Sequence, residues 1–438
     1  MAEKVDEMPE PLSAKYVDQF AYPTVKDRLP VILTKVIDTV YQYKNTAAEQ
    51  HGEAGKEDCK FIVSKLSELK NAIQTDKPLT VLADGRGDVS IWNKAIQKEI
   101  DDHGNKHPSW FKSPWLLTEC YMYRKINESI RMSSKLQEFD PFGEQKRSAL
   151  KNSHDACIVL ANYIHDITKD NKDVTYEQFS KILQIALWGN KCDLSISAGV
   201  ENSQNVSPLL YLNEMASNIL VDSTQQVWQA LLEARKNGKQ TRVDIILDNM
   251  GFELFSDLCF AEFLLRTSLA HSIHLHYKVM PWFVSDVTRE DFLWTLQTLK
   301  DSPNEVLSKL SETWQNRLQD ESWVIKGDDF WTTACDFRQM KSKAPHLYDD
   351  LTSSSMCFFK GDLNYRKLVG DLNWNHTTPY ELTLGGFHPS PHCALRTIKC
   401  DLVVGLQEGR AEEITKLNAD WMLGGDYGVI HFCDLIEK

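Results

Sequence analysis

The sequence lacks any uninterrupted apolar run of the roughly 20 residues that a membrane-spanning helix requires. It opens with MAEKVDEMPEPLSAKY, which is acidic and polar where a secretory signal is basic and then apolar. Lysine and arginine number 49 against 62 aspartate and glutamate residues, so the excess of positive charge typical of a nucleic-acid surface is absent. We therefore expect a cytoplasmic protein, with nuclear presence left open, whose partners are neither membranes nor nucleic acids.

Several catalytic and metal-binding motifs are also missing. No CxxC occurs among the ten cysteines, which we expect to be reduced, buried thiols. There is no GxxxxGK[ST] loop for nucleoside triphosphates and no GxSxG nucleophile elbow. The stretch HSIHLHYK holds His271, His274 and His276, but no carboxylate or cysteine completes a metal set nearby in the sequence. We interpret these histidines as structural.

A chain of 438 residues is longer than one hydrophobic core usually serves, which suggests two lobes. In the first part, apolar residues recur at spacings of three and four, the pattern of helices with one buried face. The clearest segments are VKDRLPVILTKVIDTVYQYKNTAAEQ, KEDCKFIVSKLSELKNAIQ and WLLTECYMYRKINESIRMS. We predict an all-α N-terminal lobe over residues 1–185.

The second half alternates between strand-like and helix-like segments. TRVDIILD and SIHLHYKVMPWFVSD are typical of strands, and each precedes a segment of helical period. Further β-rich runs are SSMCFFKGDLNYRKL, TIKCDLVVGL and YGVIHFCDL. Repeated β-α-β units predict an α/β catalytic domain over residues 186–438, with a doubly wound, mostly parallel sheet flanked by helices in an αβα sandwich.

Acidic residues follow the predicted strands. Asp248 and Asn249 end one strand, Asp286 ends the next, and Asp362 follows a third. Ligands of such sheets bind beyond the carboxyl ends of the strands, so these side chains are expected at one edge. Oxygen ligands without histidine or cysteine suit Mg²⁺ or Mn²⁺. The alternative is that these residues cap the helices that follow.

Basic residues lie in two segments beside these acids. KGDLNYRK places Lys360, Arg366 and Lys367 around Asp362, and RTIK places Lys399 before the predicted strand DLVVGL. Phosphate groups are bound by metal ions together with cationic hydrogen-bond donors. A solvated basic edge is the alternative. Taken with the acids, the two segments favour phosphoryl chemistry.

These motifs resemble a known family. DNxGxE from Asp248 to Glu253, the later Asp286, KGDLNYRK and RTIK occur in the order found in the damage-control phosphatases, formerly domain of unknown function 89. RTxK is the mark of their subfamily III. The resemblance implies a metal-dependent phosphatase that acts on phosphorylated metabolites, with fructose 1-phosphate and fructose 6-phosphate as expected substrates.

The resemblance also implies roles for individual residues. Asp248, Asn249 and Asp286 would be catalytic and would hold the divalent metal, with Mn²⁺ or Mg²⁺ expected and Co²⁺ or Ni²⁺ as alternatives. The implied substrate-binding residues are Asp248, Asn249, Asp362, Leu363, Asn364, Tyr365, Arg366 and Lys399. Whether water or Asp248 itself attacks phosphorus is left open.

Two other functions are kept as alternatives. Relatives in the family have been described as methyltransferases that esterify protein carboxylates with S-adenosylmethionine, in which case Glu253 and Asp286 would contact that cofactor. The only glycine-rich candidates for its binding loop, such as VLADGRGD, do not follow a first strand. The other alternative is a noncatalytic interaction protein with tryptophan anchors such as Trp110, Trp115, Trp188 and Trp282.

Overall fold

The computed structural model describes residues 8–102, 107–169, 174–200, 215–236 and 240–434. Within these ranges, no helix combines the length and the apolar character needed to cross a membrane.

The N-terminal part is helical, as the apolar spacing predicts. A short turn, Ala21–Pro23, and a π-helical turn, Thr24–Arg28, run into the long helix α1, which is broken at Gly52 by a φ of +67°. The helices are α1 Leu29–Gln74, α2 Val89–Asp102, α3 Trp115–Arg131, α4 Gly143–Asn152, α5 His154–Thr168 and α6 Tyr176–Val200.

A seven-stranded sheet forms the centre of the second half, in the order β1-β7-β6-β5-β2-β3-β4. The strands are β1 Ile219–Asp222, β2 Arg242–Ile246, β3 Ser272–Tyr277, β4 Trp323–Gly327, β5 Met356–Lys360, β6 His392–Thr397 and β7 Gly428–Cys433. Strands β6, β5, β2, β3 and β4 pair in parallel, whereas β7 is antiparallel to β6 and parallel to β1. The predicted doubly wound, mostly parallel sheet is confirmed.

Helices connect and cover these strands. They are α7 Thr224–Lys236, α8 Phe252–Arg266, α9 Arg289–Lys300, α10 Glu305–Gln319, α11 Met340–Lys343, α12 Pro345–Leu351, α13 Gly361–Val369, α14 Tyr380–Thr383 and α15 Arg410–Leu417. Short 3-10 turns occupy Ala216–Asn218, Asp329–Thr332 and Phe337–Gln339.

The sheet separates two hydrophobic cores, because alternate residues of a strand face opposite sides. On one side, Val243 and Ile245 pack with helices α5, α6 and α8. On the other, Ile246 packs in the core that contains helices α1 to α3. Helices α5 and α6 therefore share a core with the sheet, although α5 and the start of α6 fall within the predicted lobe 1–185. The boundary at residue 185 stays a prediction.

Two strand predictions are wrong. SIHLHYKVMPWFVSD is a strand only over Ser272–Tyr277, so Asp286 lies in the loop after β3 and not at a strand end. The run TIKCDLVVGL does not form a strand, since β6 ends at Thr397 and residues 401–406 lie outside the sheet. Their backbone groups bond elsewhere: Val404 N donates to the Tyr365 hydroxyl at 3.2 Å, and Gly405 N donates to Thr378 O at 2.8 Å. The β-branched residues Val403 and Val404 are nonetheless buried, so the apolar run indicates burial and not strand pairing.

The cysteines agree with the expectation of buried thiols. The nine cysteines whose side chains are described are buried and form no disulfide with one another. The remaining one, Cys192, lies outside the described side chains.

Candidate active site

The candidate site lies where the order of the strands reverses. From β2 the chain continues to β3 and β4 on one side, while β5 and β6 lie on the other side of β2. Asp286 comes after β3, Asp248 after β2, Asp362 after β5 and Lys399 after β6. These four strands are consecutive neighbours, and such a switch point is where open α/β sheets form a ligand crevice.

The loops that follow β2 and β3 are joined by backbone hydrogen bonds. Met250 N donates to Ser285 O at 2.7 Å, and Val287 N donates to Asp248 O at 2.8 Å. Asn249 and Asp286 form an isolated antiparallel bridge between these bonds. The side chains of Asp248 and Asp286 are therefore held together by backbone pairing and not by their own contacts.

A cavity of about 140 Å³ opens at this edge. Seven of the predicted site residues line it: Asp248, Asn249, Asp286, Asp362, Leu363, Arg366 and Lys399. Asn364 and Tyr365 do not line it. The Asn364 amide donates to Lys360 O at 2.7 Å, and the Tyr365 hydroxyl accepts from Val404 N, so both side chains support the backbone around the cavity.

Hydrogen bonds orient the Asn249 side chain among the acids. Its Nδ2 donates to Asp248 Oδ2 at 2.6 Å and to Glu253 Oε2 at 2.8 Å. Its Oδ1 accepts from the Ser285 hydroxyl at 2.5 Å. Asp286 Oδ2 lies 3.3 Å from the Lys278 ammonium. Three oxygen-bearing side chains thus occupy one wall of the cavity.

Burial and neighbouring negative charge disfavour the ionised form of the carboxylates in this wall. Burial raises the pKa of Asp248 well above its usual value, and the negative charges of Glu253 and Asp286 raise it further. Burial also raises the pKa of Asp286 to about 6, against the opposing charge of Lys278. A cation held between two such carboxylates would relieve both effects. The residues present therefore fit a hard divalent ion with oxygen ligands.

Gly361 lets helix α13 begin directly against Asp248. Its φ is +84°, and a Cβ placed there would lie 1.9 Å from Asp248 Oδ2. No side chain caps this helix at Lys360. The first-turn N–H groups of an uncapped helix form a ready anion site. The motif KGD therefore places a helix N-terminus without a side-chain cap next to the acidic wall.

Arg366 is held firmly from two elements. Its Nη1 donates to Glu119 Oε2 and its Nε to Asp371 Oδ1, both at 2.7 Å. The guanidinium also lies 3.6 Å from the ring centroid of Trp115. Because all these groups are buried, Arg366 joins the N-terminal helix α3 to α13 at the cavity wall.

Asp362 is similarly paired. Arg396 Nε donates to its Oδ1 at 2.8 Å. Although burial acts to raise it, the guanidinium groups of Arg396 and Arg366 hold the pKa of Asp362 below its usual value. Asp362 is therefore a charged residue whose charge is already balanced.

Two predicted phosphate-site lysines lie away from the cavity. Lys360 Nζ is 2.9 Å from Asp257 and 3.5 Å from Glu253. Lys367 Nζ donates to the backbone oxygens of Trp331 and Thr333 at 3.0 and 2.7 Å. The expectation that both lysines surround a bound phosphate is not met, because the ammonium group of each already makes buried contacts within the protein.

Several residues of the cavity were not predicted from the sequence. Phe20, Arg28, Trp115 and Glu119 come from the N-terminal part, and Phe283 and Ser285 flank Asp286. The segment WLLTECYMYR has the apolar spacing of a helix, but nothing in that spacing pointed to a ligand. Contacts over such separations are set by tertiary packing alone.

The histidine stretch needs a correction. Contrary to the expectation that no carboxylate lies nearby, Asp244 and Asp350 lie beside His274, with one ligand atom of each within 4.8 Å of the others. Arg242 Nη2 donates to Asp244 at 2.7 Å and to Asp350 at 2.9 Å. His276 Nε2 is 2.7 Å from Asp244. Because Arg242 pairs with both carboxylates and Lys326 Nζ lies 2.7 Å from Asp350, we interpret this group as an ion-pair network.

Fold and site together define an α/β protein with a candidate cation and anion site at its switch point. The family model described as "Damage-control phosphatase ARMT1-like domain" matches residues 24–414. The chain belongs to this family, which confirms the resemblance seen in the sequence.

Individual relatives agree along nearly the whole chain. Proteins named "Damage-control phosphatase ARMT1" are 44% identical in Danio rerio and 45% identical in Rattus norvegicus, each over 433 residues. These alignments cover 97% of this chain, and 97% and 99% of the relatives. A solved DUF89 family protein from Pyrococcus horikoshii is 15% identical with a TM-score of 0.40, covering 80% of this chain and 90% of that one. The family supports phosphatase activity on a small phosphorylated molecule.

Proposed function

We propose that this protein is a metal-dependent phosphatase that releases phosphate from phosphorylated sugars, with fructose 1-phosphate and fructose 6-phosphate as the first substrates to test. The supporting observation is the cavity in which Asp248, Asn249 and Asp286 share space with Arg366 and Lys399. The cytoplasmic location drawn from the sequence stays a prediction.

Asp248, Asn249 and Asp286 would hold the metal, Mn²⁺ or Mg²⁺ in the first instance. When bound, such an ion supplies Lewis-acid stabilisation of charge on phosphoryl oxygens. The protein contributes orientation: the Ser285 hydroxyl fixes the Asn249 oxygen, and backbone pairing fixes the two aspartates. Fixed ligands need little reorganisation during the reaction, which is the main source of electrostatic catalysis.

The opposite side of the cavity suits the phosphoryl group. The first turn of α13 offers backbone N–H groups, and Lys399 offers an ammonium group. Arg366 retains N–H donors beyond those given to Glu119 and Asp371, in a fixed plane against Trp115. Positive groups aimed at the transferred phosphoryl group stabilise the charge of the transition state.

The methyltransferase alternative has less support. Glu253, its expected cofactor contact, accepts from Asn249, lies 3.5 Å from Lys360 and does not line the cavity. The interaction-protein alternative is weakened as well, because its named tryptophan anchors are all at most 1% exposed: Trp110, Trp115, Trp188 and Trp282. Buried rings offer no surface to a partner.

The deciding experiment measures phosphate release from fructose 1-phosphate by the purified chain, with Mn²⁺, without it and after EDTA. We expect release that needs the metal and that is lost in Asp248→Ala and Asp286→Ala. Glu312→Ala, an exposed position on α10, serves as the control and should keep full activity.

Absence of metal-dependent release from both fructose phosphates and from a small panel of other sugar phosphates would refute the proposal. Transfer of a labelled methyl group from S-adenosylmethionine to a protein carboxylate would then be measured. Full cellular function in Asp248→Ala would favour a noncatalytic role.

A further inference from the structure

An N-terminal segment, residues 10–28, crosses from the helical part onto the α/β part. Leu12 N donates to Asp371 O at 2.9 Å, and Trp115 N donates to Leu12 O at 2.7 Å. Further along, Phe20 N donates to Asp401 Oδ2 at 2.8 Å. The segment is therefore anchored at two places near the cavity. One is Asp371, which pairs with Arg366, and the other is Asp401, two residues after Lys399 in the chain.

This segment ends in the π-helical turn Thr24–Arg28. Ala21, Val25 and Leu29 are fully buried on its apolar side. Arg28 lies on the exposed side and lines the same cavity as Asp248 and Lys399. A π-turn adds one residue to a helical turn and is often found at functional sites, since it redirects side chains.

The charges around the cavity point to a role for Arg28. Arg366 is already paired with two carboxylates, and Asp362 is paired with Arg396. Arg28 and Lys399, by contrast, make no hydrogen bond or ion pair with the residues that the structure describes. A divalent metal would add positive charge beside Asp248 and Asp286, the second of which is already paired with Lys278. A phosphate monoester brings up to two negative charges, and Arg28 and Lys399 would meet them together with the remaining N–H donors of Arg366.

We propose that Arg28 is a substrate-binding residue whose guanidinium contacts the phosphoryl group from the N-terminal wall of the cavity. This inference rests on the proposed phosphatase function, because it takes a phosphate ester as the ligand. Arg28 would thus be a binding-site residue from outside the sheet. The π-helical turn Thr24–Arg28 would hold its side chain at the cavity wall.

The test is the binding of inorganic phosphate in the presence of Mn²⁺, measured by calorimetry for the full chain. A charge-assisted hydrogen bond that is lost raises the Kd about ten- to hundredfold, which we expect for Arg28→Ala. Arg28→Lys should recover part of the affinity, since the charge remains but the planar pair of donors is lost. Lys26→Ala, in the same turn, is the control and should bind phosphate as the unmodified protein does.

Kinetics give a second measurement. The KM for fructose 1-phosphate should rise by a similar factor in Arg28→Ala, whereas kcat should change by less than about threefold, as for a contact present in both ground and transition states. Unchanged Kd for phosphate in Arg28→Ala, in a protein whose thermal unfolding matches the unmodified chain, would overturn the inference.

The two proposals fail separately. If phosphate binds in an Arg28-dependent way but no sugar phosphate is hydrolysed, the assigned function is wrong and the role of Arg28 stands. If fructose 1-phosphate is hydrolysed with the same KM and the same phosphate affinity in Arg28→Ala, the phosphatase stands and Arg28 has no such role.

Discussion

At the scale of single residues, Gly361 is the tightest fit in the site. Substitution by alanine forces a Cβ to within 1.9 Å of Asp248 Oδ2 and places it on a backbone with φ of +84°. We expect Gly361→Ala to lower phosphate release at least a hundredfold, because either Asp248 or the start of α13 must move. Initial rates with saturating Mn²⁺ measure this effect.

Gly386 provides a matched control. Its φ is +86°, close to that of Gly361, but no atom lies within 4 Å of a Cβ added there. Gly386→Ala should lower the free energy of unfolding by about 1 kcal/mol through backbone strain alone and leave the rate unchanged. Equal losses of activity in the two variants would show that strain, and not contact with Asp248, explains the effect.

The residues predicted from sequence share one property. Asp248, Asp286 and Asp362 follow strands, so a local pattern placed them at one edge before any contact was known. Arg28 and Glu119 have no such pattern, because they reach the cavity from helices of the N-terminal part. Lys360 and Lys367 show the converse, since a basic motif does not reveal which side chains turn into the interior.

At the scale of elements, the contact of α3 with α13 depends on a buried ion pair. Glu119 and Arg366 are each 2% exposed. Removing one partner leaves a buried charge with less compensation, which typically costs about 3 kcal/mol or more. We expect Glu119→Ala to lower the free energy of unfolding by about 3 kcal/mol, measured by urea denaturation.

An exposed pair on α1 gives the comparison. Lys56 and Glu53 lie 3.0 Å apart at the surface. Glu53→Ala should leave the free energy of unfolding nearly unchanged, because ion pairs in contact with water contribute little to stability. A loss in Glu119→Ala no larger than that in Glu53→Ala would mean that Asp371 alone satisfies Arg366.

Secondary structure was predicted correctly where the apolar pattern was strong, but the strands at the two edges of the sheet were missed. The central strands β2 and β5 were recognised from apolar runs that end in acids, whereas β3 was recognised but ends at Tyr277, nine residues before Asp286. Edge strands β1 and β4 were not recognised, and they are mostly half-buried where β2 and β5, of similar length, are almost fully buried. Residues 401–406 have strand-like composition but bond to a tyrosine and to loops, a choice that only the surrounding fold determines.

At the scale of the whole molecule, two buried histidines make stability depend on pH. Burial lowers the pKa of both His392 and His431 to about 3. The unfolded chain protonates these groups near pH 6.5 and the folded chain does not, so the unfolded state gains protons first as the pH falls. Stability is therefore full above pH 6.5 and falls by about 1.4 kcal/mol per pH unit for each histidine between there and pH 3.

Replacement of His392 by phenylalanine tests this dependence, since Phe359, Phe387 and Tyr380 already surround the ring. Urea denaturation at pH 6, 5 and 4 should show a slope shallower by about 1.4 kcal/mol per pH unit in His392→Phe. The exposed variant His51→Gln should keep the original slope. Identical slopes in all three proteins would contradict the assignment.

The class of fold was predictable from the sequence because strand and helix alternate regularly after residue 242. The way in which the N-terminal part joins the sheet was not, since hydrophobic period states that a helix face is buried but not against what. Helices α5 and α6 pack on one face of the sheet and helices α1 to α3 on the other. Both placements depend on contacts between distant parts of the chain.

The anchored segment 10–28 has a consequence for how the protein is made. Gln19 bonds to Asn373 and Phe20 to Asp401, across separations of 354 and 381 residues. At about 5 to 20 residues per second, a ribosome needs about 20 to 80 seconds to supply those partners after the segment itself has been synthesised. A nascent or prematurely terminated chain therefore cannot form the whole cavity. Residues 10–28 are synthesised early, but they can take their place in the cavity wall only after residues 373 and 401 have been made.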